Sequence, residues 1–89
     1  MPGVHNDPAE LRRFMATLRQ FNADMSGSST RMRSALSDLS GAWRDTEYAR
    51  FSQELKDLLD ELQRYLSQVD NYNAYLNQKA GALERYLGR

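Results

Sequence analysis

Apolar residues return every seven positions along most of this 89-residue chain, and that spacing constrains the fold more than any other feature. In the first half, one apolar line comprises Leu11, Leu18, Met25, Met32 and Leu39. A second line, with Phe14 and Phe21, follows three residues later, and Met15 and Leu36 widen the stripe. An alternation of three and four residues is the pattern of an α-helix that buries one face.

The second half of the chain keeps the same period but carries a wider stripe. Its first line comprises Tyr48, Leu55, Leu62, Val69, Leu76 and Leu83. Its second line comprises Phe51, Leu58, Tyr65, Tyr72, Lys79 and Tyr86. Beside them lies a third line, with Leu59, Leu66, Ala80 and Leu87. A stripe of this width is too broad for a two-stranded contact and predicts a helix packed against two neighbours.

The first helix has a clear start and a weak middle. Asp7, Pro8 and Glu10 suit a helix start, because Asp caps free backbone N–H groups, Pro fits the first helical position and Glu reaches back to the cap. Residues 26–30 are poor helix formers. They predict either a kink or a place where small side chains let a facing helix approach closely.

We therefore expect one all-α domain, an antiparallel hairpin of two long helices. The first would cover about residues 8–40 and the second about 46–87, with a turn at 41–45. Asp45 or Thr46 can cap the second helix. Two helices alone would leave much of the wide stripe exposed, so we expect two hairpins to form a four-helix bundle, as a homodimer or with a related small helical protein. The expected dimer interface comprises Leu55, Leu58, Leu62, Tyr65, Val69 and Tyr72.

The turn holds the only tryptophan of the chain, in the sequence Trp43-Arg44-Asp45. A short two-helix chain with heptads, no cysteine and a central Trp turn resembles the WXG family of small type VII secretion proteins. In that family the turn is Trp-x-Gly, and an aromatic usually follows eight residues after the Trp, where this chain has Phe51. Here Asp45 replaces the glycine, and Asp can both adopt a turn and cap the next helix. The resemblance implies a turn motif of Trp43, Asp45 and Phe51.

The resemblance also suggests a function. It implies a non-enzymatic, dimeric substrate or accessory of a type VII-like secretion system. Family members often carry a second export signal, Tyr-x-x-x-Asp/Glu, and no tyrosine here has an acidic residue at that spacing. Export would then depend on a partner or on another signal, or would not occur. The alternatives are an intracellular adaptor or chaperone for a larger effector, and a structural coiled-coil subunit of an assembly unrelated to secretion.

Composition disfavours several other classes of protein. Twelve basic and twelve acidic residues cancel, and neither half is a basic arm, so we expect no binding to nucleic acid. No segment is apolar enough to insert in a membrane. The N-terminus lacks a signal-peptide pattern, so we expect a cytoplasmic protein whose export, if it occurs, uses no signal peptide.

No catalytic or metal-binding pattern is evident in the sequence. His5 is the only histidine, there are no cysteines, and the serines have no evident activating base. A glycine-rich phosphate loop is also missing. We therefore expect no enzyme activity, no metal site and no cofactor. Two groups of charged residues are expected to be solvated surface: Glu54, Asp57, Asp60 and Glu61 beside Lys56 and Arg64, and Arg12, Arg13 and Arg19.

Overall fold

The computed structural model describes residues 7–88, which form two helices, α1 (Pro8–Leu39) and α2 (Thr46–Tyr86). The helices run antiparallel. Arg12, near the start of α1, is paired with Glu84, near the end of α2, and Arg33, near the end of α1, is paired with Asp60 in the first half of α2. The molecule is a thin rod of 64 × 20 × 16 Å. The predicted all-α helical hairpin is confirmed for this part of the chain, which contains no strand.

α1 begins at Pro8 because Asp7 has an extended backbone and caps the helix. The Asp7 Oδ1 atom accepts a hydrogen bond from the Ala9 N–H at 2.9 Å. Pro8 takes the first helical position, where a missing N–H costs no hydrogen bond. Glu10, which we expected to reach back to the cap, is instead ion-paired with Arg13. The Asp–Pro pair therefore fixes the start of the helix.

α1 is continuous through residues 26–30, where the sequence allowed either a kink or a close approach of the facing helix. Ser29 is 5% exposed, so this small side chain lies inside the contact between the helices. The Thr30 hydroxyl donates to the Ser26 carbonyl at 3.1 Å and so satisfies itself within the helix. The alternative with small side chains in the contact is the one that the structure favours.

The buried strip along which α1 and α2 pack is called the seam below. It comprises Met15, Ser29 and Leu36 of α1 and Ser52, Leu59, Leu66, Val69 and Ala80 of α2. On α1 the seam lies one residue beyond the second apolar line of the sequence pattern, at Met15 and Leu36, which the pattern gave only as widening the stripe. Met15 and Leu36 are 5% and 3% exposed, whereas Phe14 and Phe21 are 55% and 50% exposed. Small and aliphatic side chains let two helix backbones approach, so the bulky aromatic line is turned outward.

α2 ends at Tyr86, followed by a glycine in a left-handed conformation. The Leu87 N–H donates to the Leu83 carbonyl at 2.9 Å, and Gly88 has a φ of 74°. Glycine adopts this backbone region without strain, which makes it a common residue just after a helix. Gly88 therefore suits its place just beyond α2, at the end of the hairpin farthest from the turn.

Candidate functional site

The turn between the helices is closed by backbone hydrogen bonds and by the Asp45 side chain. The N–H groups of Ala42 and Trp43 both donate to the Leu39 carbonyl, at 2.9 and 3.0 Å. The Asp45 Oδ1 atom accepts from the Tyr48 N–H at 3.1 Å, which makes Asp45 the N-cap of α2. Asp at this position therefore supplies a helix cap that glycine would lack.

Trp43, Tyr48 and Phe51 form an aromatic cluster at the turn. The Trp43 ring centroid lies 5.5 Å from that of Tyr48, edge-on, and 5.8 Å from that of Phe51. Contacts of this geometry stabilise by roughly 0.5–1.5 kcal/mol each beyond the area that they bury. The Tyr48 hydroxyl donates to the Leu36 carbonyl at 2.8 Å and so ties α2 to the last turns of α1. Trp43 is half-buried, so it both covers the turn and keeps part of its surface exposed.

A second apolar strip lies outside the seam and is called the outer apolar face below. It comprises Phe14, Phe21, Met32, Leu39, Phe51, Leu58, Tyr65 and Tyr72, each between 38% and 65% exposed. On α2 its members repeat every seven residues from Phe51 to Tyr72. This line is about 30 Å long at the helical rise per residue. A long exposed apolar strip is typical of a protein–protein contact surface.

The parts of this face that α1 and α2 contribute lie on the same side of the hairpin. Phe14 comes one residue before Met15 of the seam, and Leu58 comes one residue before Leu59 of the seam. Antiparallel helices are related by an approximate twofold axis perpendicular to the plane that contains them. Because of this axis, residues that precede the seam by one position lie on the same side of the hairpin on both helices. The contributions of α1 and α2 therefore form one continuous surface. Trp43, against Phe51, closes this surface at the turn.

The residues predicted for a dimer interface divide into exposed and internal ones. Three lie on the outer apolar face: Leu58, Tyr65 and Tyr72. Leu55 and Leu62 are half-buried beside the seam. Val69 is 8% exposed and belongs to the seam, so within the hairpin it stabilises the packing of α1 on α2 and offers little surface to a partner.

The opposite side of the hairpin, called the polar side below, carries ionic contacts between the helices. The Arg12 guanidinium donates to the two Glu84 carboxylate oxygens at 2.8 and 3.2 Å, and to Asn77 Oδ1 at 2.6 Å. Arg33 pairs with Asp60 at 2.8 Å. The hydrogen bonds from Arg12, together with its charge, hold the pKa of Glu84 below the ordinary value.

Sequence reasoning missed these contacts. It assigned Arg12 and Asp60 to solvated surface, and both do keep exposed surface, but each is also paired with a residue of the other helix. The signal that could have found them is position, because Arg33 follows the seam residue Ser29 by four residues and Glu84 follows Ala80 by four. Charged side chains that flank the contact in this way reach across an antiparallel helix pair.

A polar layer interrupts the seam near its middle. The Asn22 Nδ2 group donates to Asp70 Oδ1 at 3.3 Å. The Oδ1 atoms of Asn22 and Asn73 are buried and meet no protein donor among residues 7–88. Both asparagines lie on the seven-residue lines of the seam, between Met15 and Ser29 on α1 and between Leu66 and Ala80 on α2. Buried amide atoms in a helix contact disfavour other registers, in which they would face apolar side chains.

Among residues 7–88, no group of three or more His, Cys, Asp or Glu side chains is placed to hold a metal ion. His5 lies outside the described residues.

An open groove of about 470 Å³ lies near the end of the hairpin away from the turn, and it is lined by Arg12, Asn77, Gln78, Gly81, Glu84 and Arg85. The two charged groups of Arg12 and Glu84 in this groove form a salt bridge with each other. Neither α1 nor α2 is long and apolar enough to cross a membrane.

Comparison with protein-family models, with curated proteins and with solved structures found no match to this chain. The features that bear on its function are therefore its own turn and surfaces. Of these, the outer apolar face is the one that the stability of a single hairpin does not explain, because its large side chains remain in contact with water.

Proposed function

We propose that this chain is a non-enzymatic helical-hairpin protein of the WXG type, which pairs with a second helical hairpin and acts as a substrate or accessory of a type VII-like secretion system. The outer apolar face is the observation that carries the proposal. Leu58 and Tyr65 are 60% and 65% exposed in a hairpin whose core is a single thin seam. Pairing two hairpins across such faces gives a four-helix bundle.

The energetics of burial support this pairing. Complete burial of a large apolar side chain contributes roughly 1.5–3 kcal/mol. The eight side chains of the outer apolar face are about half exposed, so two such faces together supply roughly 12–24 kcal/mol on that scale. Association of two proteins costs about 4–15 kcal/mol in lost freedom of motion. A small chain with a thin core gains stability from such a partner.

The turn supports the assignment to a secretion system. Trp43 and Phe51 occupy the spacing of the WXG turn, and they contact each other at the end of the outer apolar face. Asp45 replaces the glycine of the motif while capping α2. A paired bundle would therefore present a partly exposed aromatic cluster at its end, where components of a secretion machine could bind it.

An intracellular adaptor is the second candidate function. The observation that favours it is that Tyr48, Tyr65, Tyr72 and Tyr75 are each followed at the fourth position by a residue that is not acidic. In this role the outer apolar face would hold the helical domain of a larger effector, and the chain would stay in the cell.

Export from the native host, measured by immunoblotting cell pellet and cleared medium, tests the proposal. Wild type would be compared with Trp43→Phe, with the double variant Leu58→Glu and Tyr65→Glu, and with a control that places two Glu residues on the polar side, Gln53→Glu and Ser67→Glu. We expect wild type and the control in the medium. Trp43→Phe should be depleted from the medium if the secretion machine recognises the turn. The outer-face variant should be depleted if pairing precedes export.

Circular dichroism of each purified variant shows whether the helices are intact, and a cytosolic marker reports lysis. Export of the outer-face variant at the wild-type level would contradict a role for pairing. Confinement of wild type to the pellet would contradict export and favour the adaptor.

A further inference from the structure

The outer apolar face contains one of the four methionines of the chain. Met32 is 48% exposed, whereas Met15 is 5% exposed in the seam and Met25 is half-buried. Met1 lies outside the described residues. A thioether is oxidised only when the oxidant reaches its sulfur. Among the methionines of residues 7–88, Met32 is therefore the one that an oxidant in water reaches most easily.

Met32 lies near the middle of the outer apolar face. Its neighbour Arg33 pairs with Asp60 of α2. Met32 is therefore level with the part of α2 between Leu58 and Tyr65. These two residues are the most exposed members of the face, at 60% and 65%. Because the centre of a protein contact is its most fully desolvated part, a change of polarity at Met32 falls where a covering partner excludes water most completely.

The chemistry of a methionine on this face is simple, because the chain has no cysteine whose thiol would compete for an oxidant. When a peroxide reacts with a thioether, one oxygen atom is transferred to the sulfur, the peroxide O–O bond breaks, and the peroxide leaves as water or an alcohol. The sulfur loses two electrons, which the peroxide gains, and the product is a polar sulfoxide. A reductase that uses a dithiol reverses the step and forms water and a disulfide.

We propose that Met32 is a redox-sensitive site, at which oxidation to the sulfoxide by a peroxide stops pairing through the outer apolar face. The inference rests on the proposed pairing function and specifies how that pairing is regulated. A thioether packs well against the apolar side chains of a partner. The sulfoxide oxygen instead loses its water on burial and needs a donor that an apolar contact does not supply. Oxidation and pairing therefore exclude each other.

Hydrogen peroxide is the oxidant in the test, and the pairing measured is the association of the chain with itself. Mass spectrometry of treated wild type would record which methionine gains oxygen. Sedimentation velocity over a dilution series would measure association before treatment, after treatment, and after repair by a methionine sulfoxide reductase with a dithiol. The variants are Met32→Leu, its matched control Met25→Leu, and Met32→Gln, which places a polar side chain of similar length at the site without any oxidant.

We expect Met32 to be oxidised before Met25 and Met15. Oxidised wild type should associate at least about tenfold more weakly than untreated wild type, and repair should restore its association. Met25→Leu should respond to peroxide as wild type does. Met32→Leu should keep its association after treatment, and Met32→Gln should associate weakly from the start.

Circular dichroism of Met32→Gln and of oxidised wild type shows whether the helices are intact. Unchanged association of wild type oxidised at Met32, or an equal loss of association in Met32→Leu, would overturn the inference and leave pairing through the outer apolar face intact. Untreated wild type that stays monomeric at every concentration would overturn the pairing of two copies and the inference with it.

Discussion

The seam and the outer apolar face are two apolar strips with the same seven-residue spacing and opposite exposure. The seam is made of aliphatic and small side chains, such as Leu66 at 3% exposure and Ala80 at 0%. The outer apolar face is dominated by aromatic ones, such as Phe21 and Tyr65. Side-chain size and shape, rather than hydrophobicity alone, therefore separate the contact inside the chain from the surface that it leaves outside.

The tyrosines of the outer apolar face are suited to a surface that is wet in one state and covered in another. Tyr65 and Tyr72 combine a large apolar ring with a hydroxyl that water or a partner can satisfy. The seam has no such requirement, because its aliphatic side chains stay covered as long as the hairpin is folded. The outer apolar face must therefore suit both water and a partner surface, whereas the seam meets only the other helix.

The largest difference between the strips should appear on truncation of a leucine in each. Leu66→Ala in the seam should lower the free energy of unfolding by about 2–5 kcal/mol, because it leaves a cavity between the helices. Leu58→Ala, at a residue 60% exposed, should lower it by less than about 1 kcal/mol in dilute protein. Urea denaturation at low micromolar concentration measures both.

Equal costs for the two variants would contradict the comparison. That result would mean that Leu58 is covered in solution. Repeating the measurement over a dilution series would then show whether a second molecule covers it, since the stability of an associating protein rises with concentration.

The sequence predicted the hairpin because its signals are local. Heptad spacing, the Asp7 and Asp45 caps and the Trp43 turn each depend on residues close in the chain. It did not predict which apolar line lies inside, because neighbouring lines on one helix share the same period. The choice of Met15 over Phe14 depends on how closely α2 approaches.

The contacts between distant residues were equally beyond the sequence pattern. Arg12 and Glu84 are 72 residues apart in the chain, and the hydrogen bond from Tyr48 to the Leu36 carbonyl crosses the turn. Such pairs depend on the register of the two helices. The polar layer of Asn22 and Asn73 contributes to that register, although neither residue stands out in the apolar pattern.

Replacement of that polar layer should remove two amide groups from the middle of the seam. The double variant Asn22→Leu and Asn73→Leu should raise the free energy of unfolding, because two buried carbonyl oxygens no longer lack donors, whereas the Asn22–Asp70 hydrogen bond that is lost is long and exposed. It should also relax the register, visible as extra peaks in an amide NMR spectrum. Asn71→Leu, at an exposed position nearby, is the control and should change little. A destabilised double variant would show that the amides are well satisfied in the folded chain.

The smallest effect should come from the polar side. Because the pKa of Glu84 is lower in the folded chain than in the unfolded chain, its pairing stabilises above the ordinary Glu pKa. This stability is lost as the pH falls through the lowered pKa. Wild type should therefore lose more melting temperature on acidification from neutral pH than Glu84→Gln does, by a small margin, since both partners are partly exposed.

Removal of the other partner provides the reciprocal measurement. Arg12→Gln should show the same reduced acid dependence as Glu84→Gln. If both variants lost as much melting temperature on acidification as wild type does, the loss would come from other carboxylates.

The rod shape of 64 × 20 × 16 Å has a consequence for how this chain opens. Each seam residue packs against one other helix only, so the loss of one contact removes support mainly from its neighbours along the rod. Amide hydrogens should then exchange along a gradient, fastest at the helix ends farthest from Trp43 and slower towards the turn, which the covalent connection and the Tyr48 hydrogen bond hold closed. A partner laid along the whole length would convert this stepwise opening into a single cooperative transition.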